Sequence, residues 1–354
     1  MANFKTNSDK YKKIFWAICS PMLAVLTVWL LLKQNQDVSM RDIAHTAAGA
    51  DKLWLSLAAV SSVLFIFFEA FAIKSILKGA GFSPKFKNSL IYGTADIYFS
   101  AITPSATGGQ PASAYFMIKD GIPGGVCTAV LMLNLMMYTL SIVALGITSI
   151  VISPSTFTEF NVPSKLLIWA GTAAQIALAV FFMTVLKKGD FIFDILERMI
   201  AFLGRKKILK NIPKKTGKLH KAKRDYSSCS MMFSGNYPLL LKAFLWNLLQ
   251  RFSQIVVPSL LFISMGGNPL DSVRLFSKQC LITIGYNFVP LPGAMGVADY
   301  LMLNGFSELM EHDMAFHLEM LSRGMTFYIC VSFSGLIAFA GYLVRRRNKR
   351  HEKN

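Results

Sequence analysis

The chain contains 354 residues, of which 53% are hydrophobic and 16% are charged, and its formal net charge is +18. So large an apolar share cannot be buried inside a soluble domain, and the composition therefore indicates an integral membrane protein. The basic residues flank apolar runs, which fits the positive-inside rule and argues against a nucleic-acid partner.

Several apolar runs are close to the roughly 20 residues that an α-helix needs to cross a bilayer. We predict six transmembrane helices, over residues 14–32, 53–77, 126–152, 165–186, 238–264 and 321–344. The first run follows a basic start and has no small-residue cleavage site before Lys33. We therefore expect an uncleaved anchor there rather than a signal peptide.

The charges between these runs predict their orientation, because loops rich in Lys and Arg stay in the cytoplasm. Three stretches are basic, namely 74–88, the long loop 187–237 and the tail 346–354. Three others are balanced or acidic, namely 33–52, 153–164 and 305–319. Six crossings satisfy this pattern and place both termini in the cytoplasm.

Two moderately apolar segments, 89–124 and 272–304, remain outside the six spans. Each is interrupted near its middle and is too broken for a single crossing. Because the loop charges leave neither segment a change of side, we expect each to enter and leave the membrane on one face as a re-entrant helical hairpin. Non-helical backbone at that depth is tolerated only where protein or a water-filled cavity surrounds it.

The two interrupted segments resemble each other. "ITPSATGGQPASAY", from Ile102 to Tyr115, aligns with "VPLPGAMGVADY", from Val289 to Tyr300, when a small gap is allowed. The chain then divides into repeat one, about 14–152, and repeat two, about 165–344, each with three spans and one hairpin. Since three is an odd number, the second repeat enters from the opposite face. The prediction is an all-α integral membrane protein built as an inverted-topology repeat, with its transport site near the midplane.

Prolines and glycines define the two hairpin breaks. Glycine allows sharp turns and close approach, and proline stops or starts a helix. The residues of the breaks are Pro104, Gly108, Gly109, Pro111, Pro290, Pro292, Gly293 and Gly296. Helices that begin near Gln110 and near Met295 would aim positive dipole ends at a cavity, where they would attract a phosphate. The alternative is two kinked helices that serve packing alone.

Charged residues inside the apolar segments are candidates for the site, because a charge at the bilayer centre costs about 2.5–3.5 kcal/mol on insertion scales. Glu69 and Arg251 lie deep in corresponding spans, with Gln250 and Gln254 beside the arginine. They either form an ion pair that holds the two halves together or contact a charged lipid headgroup.

Further candidates lie in and beside the hairpins. The predicted headgroup site consists of Glu69, Asp96, Thr103, Ser105, Gln110, Arg251, Asp299 and Arg323. For Asp96 and Asp299, pairing with a base or capping a half-helix is an equal alternative. Arg323 could instead extend to the headgroups at the membrane edge.

The remaining chemistry is sparse. No cysteine pair, histidine cluster or glycine-rich loop has the spacing of a metal, cofactor or nucleophile site, so we expect no metal, no cofactor and no catalytic residue. His312 and His317 with nearby acids could bind a cation, but a solvated acidic face is the simpler interpretation. Apolar positions at helical spacing from Asp190 to Gly204 predict an amphipathic helix on the inner membrane surface.

The two segments "ITPSATGGQPASAYFMIKDGIP" and "VPLPGAMGVADYLM" resemble the signature hairpins of the lysylphosphatidylglycerol synthetase/flippase transmembrane family, also called the flippase-like domain family. The resemblance covers roughly residues 10–345. It implies an inverted repeat around a lipid-accessible cavity and the handling of aminoacylated or other polar lipids. The sequence departs from that pattern at Gln110, where an acidic residue is common, and at Asn134, where an arginine is common; Arg323 keeps the arginine in the second repeat.

The resemblance also implies what this chain does not do alone. In full-length synthetases a soluble domain transfers the aminoacyl group, and only ten residues follow Val344 here, so we do not expect that reaction from this chain. We expect a stand-alone phospholipid translocase of the bacterial cytoplasmic membrane, with membrane phospholipids as its partners. The alternatives are the membrane half of a lipid-modifying enzyme, such as a phosphatidylglycerol lysyltransferase, and a small-solute transporter. A separate lipid synthase or glycosyltransferase, and a second copy of the chain in a dimer, are the further candidate partners.

Overall fold

The computed structural model describes residues 48–187, 190–205, 212–233 and 235–351, and it contains no strand in these ranges. The predicted first span, 14–32, lies outside the described residues. So do the end of the tail, 352–354, and parts of the loop between 187 and 237.

The helices follow one another with short connections. In chain order they are α1 (Lys52–Gly79), α2 (Phe86–Ile102), α3 (Gly109–Lys119), α4 (Gly124–Ile152), α5 (Val162–Lys187), α6 (Asp190–Arg205), α7 (Ile212–Phe233), α8 (Tyr237–Ile255), α9 (Val257–Ser264), α10 (Pro269–Tyr286), α11 (Val297–Phe306), α12 (His312–Arg323) and α13 (Cys330–His351). Single 3₁₀ turns occur at Pro104–Ala106, Pro154–Phe157 and Pro292–Ala294, and a π-helical segment, Gly324–Ile329, joins α12 to α13.

Four of the described helices are long and apolar enough to cross a membrane. They are α1, α4, α5 and the continuous rod from His312 to Arg347. Only 22% of the apolar window of α5 is buried, and large side chains such as Trp169 and Val180 are exposed on it. A helix with so much exposed apolar surface needs lipid around it. The chain is therefore a multi-pass membrane protein, and the predicted spans 53–77, 126–152 and 165–186 are confirmed as apolar helices.

Two predicted spans differ from the observed helices. The run 238–264 is not one helix, because the regular backbone hydrogen bonding of α8 ends at Val256 and α9 begins after it. Pro258, in the first turn of α9, has no backbone N–H to continue it. The predicted span 321–344 begins earlier, since residues 312–319 of the expected acidic loop are already helical. There Ala315, Leu318 and Leu321 are buried at helical spacing between the charged positions.

The long basic loop is also helical where it is described. The predicted amphipathic helix is α6, and the Lys-rich stretch after it forms a second helix, α7, which the sequence did not predict. Helix α7 packs on both α6 and α4. A Cβ atom at Gly125 of α4 would lie 2.2 Å from the carbonyl oxygen of Ala222, so the glycine permits this close approach.

The two interrupted segments fold alike. Helix α2 packs against α3 across the first break, α10 packs against α11 across the second, and the two 3₁₀ turns contact each other. Thr103 (φ −115°, ψ 144°) corresponds to Leu291 (φ −110°, ψ 144°). Ala106 and Ala294 both adopt left-handed backbone, with φ of 52° and 51°. These two positions therefore match without the small gap used in the sequence alignment, whereas the residues just before the next helix differ: Gly108 has φ −80° and Gly296 has φ 77°.

Such a conformation is strained in a residue with a Cβ atom, and it costs about 1–3 kcal/mol where it occurs. That both breaks contain it at equivalent alanines indicates a shared local design. The helices that leave the breaks begin at Gly109 and Val297, close to the predicted starts near Gln110 and Met295.

Candidate functional site: a polar cavity between the breaks

A cavity of about 920 Å³ is bordered by both breaks and by helices α1, α2, α4, α5, α8 and α10. Its charged lining residues are Glu69, Asp96, Arg251 and Arg323. Much of the remaining wall is apolar, and two of the apolar side chains, Leu178 and Phe181 of α5, are 37% and 52% exposed. The cavity is therefore not fully enclosed at α5 by the described residues.

Glu69 lies in the middle of α1 within the apolar run "FIFFEAFAIK", and its residue is only 3% exposed. Two neutral amides hold its carboxylate. Asn134 donates from Nδ2 to Oε1 at 2.9 Å, and Gln250 donates from Nε2 to Oε2 at 2.6 Å. Asn134 in turn accepts from Nδ2 of Asn247 at 3.0 Å. Three helices, α1, α4 and α8, are thereby joined by an amide network around one carboxylate.

Arg251 does not form the ion pair with Glu69 that was one expectation from the sequence. Its guanidinium donates from Nη1 to Gln254 Oε1 at 2.9 Å and from Nε to Gln250 Oε1 at 3.2 Å. The group also lies over the rings of Phe65 and Tyr138, at 4.8 and 4.5 Å from their centroids. Among the described residues, no carboxylate forms an ion pair with it. Arg251 is thus a buried cation, held by neutral groups, at the wall of the cavity.

The first break is closed by hydrogen bonds between side chains. Gln110 donates from Nε2 to Asp96 Oδ2 at 2.9 Å, and Ser100 donates from Oγ to Asp96 Oδ1 at 3.2 Å. Thr103 caps the turn, since its Oγ1 accepts from the Gly108 N–H at 2.9 Å. Gly109 is packed tightly here, because a Cβ atom on it would lie 2.1 Å from Asp96 Oδ1. The carboxylate of Asp96 is therefore satisfied by neutral donors.

The second break is closed by an ion pair. Asp299 accepts from the Gly296 N–H at 2.9 Å, which caps α11, and its other oxygen lies 2.9 Å from Nε of Arg323. Arg323 also donates from Nη2 to the Gly293 carbonyl at 3.1 Å and lies over the ring of Phe327. Phe327 belongs to the π-helical segment, a feature that occurs frequently at functional sites. The two arginines of the cavity thus differ, since Arg323 is paired and Arg251 is not.

The sequence profile described as lysylphosphatidylglycerol synthase TM region matches residues 17–334 of this chain. The chain belongs to this family. It is also similar to a protein named UPF0104 membrane protein from Archaeoglobus fulgidus, with 22% identity over 294 residues. That alignment covers 81% of this chain and 86% of the relative.

In this member of the lysylphosphatidylglycerol synthase transmembrane family, the predicted site residues are not all in one place. Glu69, Asp96, Gln110, Arg251 and Arg323 line the cavity. Thr103 and Asp299 are not in the lining; they stabilise the breaks through the contacts given above. The side chain of Ser105 lies outside the described part of the chain. A headgroup role for these residues stays a prediction.

Other lining residues were not singled out in the sequence. They include Tyr138, Gln175, Gln279 and Asn287. Tyr138 donates from its hydroxyl to Asn287 Oδ1 at 2.7 Å, which joins α4 to the end of α10. The signal that could have indicated Gln175 is its type, since it is the only amide side chain in the apolar α5.

Proposed function

We propose that this protein moves phospholipids across the bacterial cytoplasmic membrane, with the headgroup passing through the cavity and the acyl chains remaining in lipid. Arg251 carries this proposal. It is 6% exposed, lines the cavity, and has no ion-pair partner among the described residues. A guanidinium binds phosphate oxygens with paired, charge-assisted hydrogen bonds, so an anionic phosphate supplies the counter-charge that the protein leaves out.

The apolar part of the wall favours a lipid over a small solute. Leu178 and Phe181 lie both in the cavity lining and on the exposed face of α5. A headgroup could enter beside them while its acyl chains stay in the bilayer. A small-solute pathway would have no use for an opening of this kind.

The proposed topology has six crossings and two re-entrant hairpins in an inverted repeat, with both termini in the cytoplasm. Support comes from the left-handed backbone at the equivalent residues Ala106 and Ala294 and from the contact between Pro104–Ala106 and Pro292–Ala294. Helix α3 begins at the first break, so the positive end of its dipole lies at the cavity wall.

Cysteine labelling tests this topology, because the described native cysteines are buried. Ser155 and Gly217 are exposed, so Ser155→Cys and Gly217→Cys offer accessible thiols. In intact cells an impermeant thiol reagent should label Ser155→Cys and should reach Gly217→Cys only after the membrane is opened. The reverse pattern would overturn the orientation.

The transport proposal is tested by reconstitution into liposomes that carry a fluorescent phospholipid. Native protein should accelerate the movement of the lipid between leaflets. Arg251→Gln should slow it by at least about tenfold, since a charge-assisted hydrogen bond is worth about 1.5–3 kcal/mol. Arg251→Lys should retain part of the rate. Arg346→Gln is the matched control, because Arg346 is exposed and lies outside the cavity lining.

Two results would contradict the proposal. One is native protein that moves no phospholipid faster than empty liposomes do. The other is an Arg251→Gln variant that is folded by size-exclusion chromatography and moves lipid at the native rate.

A further inference from the structure

Two groups of charged side chains hold the interrupted hairpins from outside the cavity. The first, here called the Asp120 latch, consists of Asp120, Arg345 and Tyr92. Asp120 follows α3, and its carboxylate accepts twice from Arg345 of α13, from Nε at 2.7 Å and from Nη2 at 2.5 Å. The buried Tyr92 of α2 donates its hydroxyl to Oδ2 of the same carboxylate at 2.6 Å. The end of the first hairpin is therefore fixed to α13 by paired, charge-assisted hydrogen bonds.

The second group, here called the Glu159 latch, consists of Glu159, Arg274 and Lys278. Glu159 lies in the connection after α4, whereas both bases lie on α10 of the second hairpin. Its Oε1 lies 2.8 Å from Nη2 of Arg274, and its Oε2 lies 2.8 Å from Nζ of Lys278. The side chain of Lys278 is 0% exposed. Separation of this pair would leave a buried cation without its partner, which is costly.

The two latches occupy related places in the two repeats. The equivalent alanines of the breaks lie 188 positions apart, from 106 to 294. On the same spacing Arg345 corresponds to position 157, two residues before Glu159. Each latch therefore ties one hairpin to the end of the last span of the other repeat. The signs of the charges are exchanged, since the hairpin supplies the acid in the Asp120 latch and the bases in the Glu159 latch.

The helices that the latches hold also form the wall of the cavity. Tyr92 lies about one turn before Asp96 on α2, and Lys278 directly precedes Gln279 on α10. Asp96 and Gln279 both line the cavity, whereas no residue of either latch does. A latch can therefore control the position of the wall without touching what the cavity contains.

The geometry of the hairpins relates each latch to one face of the membrane. The tips of the hairpins, Pro104–Ala106 and Pro292–Ala294, contact each other. In the proposed topology the hairpins enter from opposite faces, so their outer ends and the two latches lie at opposite faces as well. Movement of one repeat against the other around a central site is a common way to expose that site to each face in turn.

We infer that the two latches are the gates of the cavity, the Asp120 latch toward the cytoplasm and the Glu159 latch toward the outside. When one latch separates, its hairpin moves away from the opposite repeat and the cavity opens to that face. The other latch keeps the remaining face closed. The inference rests on the proposed topology and function, and it adds the residues that control access.

A thiol in the cavity tests this inference without any measurement of lipid movement. Ser100→Cys provides it, because Ser100 of α2 lines the cavity. Membrane vesicles of both orientations are treated with an impermeant thiol reagent. Ser155→Cys identifies the vesicles that present the Glu159 latch, since Ser155 is exposed in the same connection. Each latch variant without Ser100→Cys gives the background from native cysteines.

Each latch variant should change labelling from one face only. Glu159→Gln should raise the labelling of Ser100→Cys at least about fivefold from the face of the Glu159 latch and leave the other face unchanged. Arg345→Gln should do the reverse. A fivefold rise corresponds to about 1 kcal/mol, which is the upper end for an exposed ion pair and a lower bound for these shielded ones.

Further variants keep the test decisive if one protein does not fold. Asp120→Asn should reproduce the effect of Arg345→Gln, and Lys278→Met should reproduce that of Glu159→Gln. Asp194→Asn is the matched control, because it breaks the ion pair with Lys223 between α6 and α7, away from both latches. It should raise labelling from neither face.

The outcomes separate this inference from the proposed function. A rise from both faces in a latch variant would show general loosening and would overturn the inference. Unchanged labelling from both faces would also overturn it, even with a lower melting temperature, because the ion pairs would then serve stability alone. Native protein that moves no phospholipid in liposomes contradicts the proposed function, whereas labelling that rises from one face only would still establish the gates.

Discussion

Gln110 donates a hydrogen bond to Asp96 at 2.9 Å, and this bond joins the two helices of the first break. Both residues line the cavity. The amide satisfies one oxygen of the buried carboxylate, and Asp96 forms no ion pair with Arg251. Glu69 is also held by neutral donors, the side-chain amides of Asn134 and Gln250. Neutral donors thus hold the acids of this wall and leave its arginine available to an anion.

The Gln110–Asp96 bond can be tested by a pair of substitutions. Gln110→Glu places a second carboxylate against Asp96 and removes the donor, so the free energy of unfolding should fall by about 1–3 kcal/mol. Adding Asp96→Asn restores one donor and one acceptor, and the double variant should recover much of the loss. The apparent melting temperature in detergent measures both effects. A double variant less stable than Gln110→Glu alone would contradict the assignment.

The ion pair of the second break predicts an order of stabilities. Arg323→Gln removes the partner of Asp299 and leaves that carboxylate next to Glu319, which is also buried there. Breaking a buried pair from one side costs about 3–5 kcal/mol. Asp299→Asn should cost less, because an asparagine oxygen can still accept from the Gly296 N–H and cap α11.

Thermal unfolding of the two purified variants checks this order. Equal losses would indicate that the Arg323 contacts with Gly293 and Phe327 add nothing. A larger loss for Asp299→Asn than for Arg323→Gln would contradict the expectation that an unpaired Asp299 carboxylate next to Glu319 is the more destabilising change.

An ion-pair cluster outside the spans predicts a dependence of stability on pH. Glu159, in the connection before α5, lies 2.8 Å from Arg274 and 2.8 Å from Lys278, whose residue is 0% exposed. Burial alone would raise the pKa of Glu159, but the hydrogen bonds and charges of Lys278 and Arg274 outweigh it and hold that pKa below its ordinary value of 4.5.

Because the pKa is lower in the folded state, the folded protein binds fewer protons at this site than the unfolded chain does. The stabilisation is therefore complete above pH 4.5 and is lost as the pH falls through the lower folded value. Glu159→Gln should lower the melting temperature at neutral pH and weaken its further decline in acid. Glu311→Gln, on an exposed carboxylate, is the matched control. An acid decline of equal slope in native protein and Glu159→Gln would show that this cluster is not responsible.

Hydropathy predicted the long helices well because lipid exposure leaves an apolar signal along the whole length of α1, α4 and α5. Proline and glycine likewise indicated the two breaks and the starts of α3 and α11. The interruption between α8 and α9 at Val256 was not predicted, although Pro258 is visible in the sequence. A single proline inside an apolar run is usually interpreted as a kink in one continuous helix. Helix α7 was not predicted, because its many basic residues make the segment polar overall even though one of its faces packs against α4.

The pairing of polar residues could not be predicted in the same way. Gln250 and Arg251 are neighbours in sequence, yet successive residues of a helix point about 100° apart. Gln250 therefore reaches Glu69, while Arg251 turns toward the cavity. Of the two alternatives left open by the sequence for Glu69 and Arg251, the ion pair therefore does not form. Gln175 escaped notice because one amide barely changes the mean hydropathy of an apolar helix.

The tight packing at Gly109 gives a final test of the first break. A Cβ atom there would lie 2.0 Å from Ser100 Oγ, 2.1 Å from Asp96 Oδ1 and 2.7 Å from the Asp96 backbone oxygen. Side chains alone cannot relieve the last contact, so α3 must move away from α2. Gly109→Ala should therefore lower the free energy of unfolding by about 1–3 kcal/mol, the usual cost of overpacking.

The displacement should also affect transport, since it separates Gln110 from Asp96 at the cavity wall. Gly124→Ala, at the start of α4, is the matched control, because its added Cβ meets only Ile118 Cδ1, at 3.8 Å. That variant should be neutral or more stable by up to about 1 kcal/mol, as alanine favours a helix over glycine. Melting temperature and the liposome assay should both separate the two variants. Similar behaviour of Gly109→Ala and Gly124→Ala would mean that the break adapts to a side chain, and the close approach of α2 and α3 would then not be what fixes Asp96 and Gln110 at the cavity.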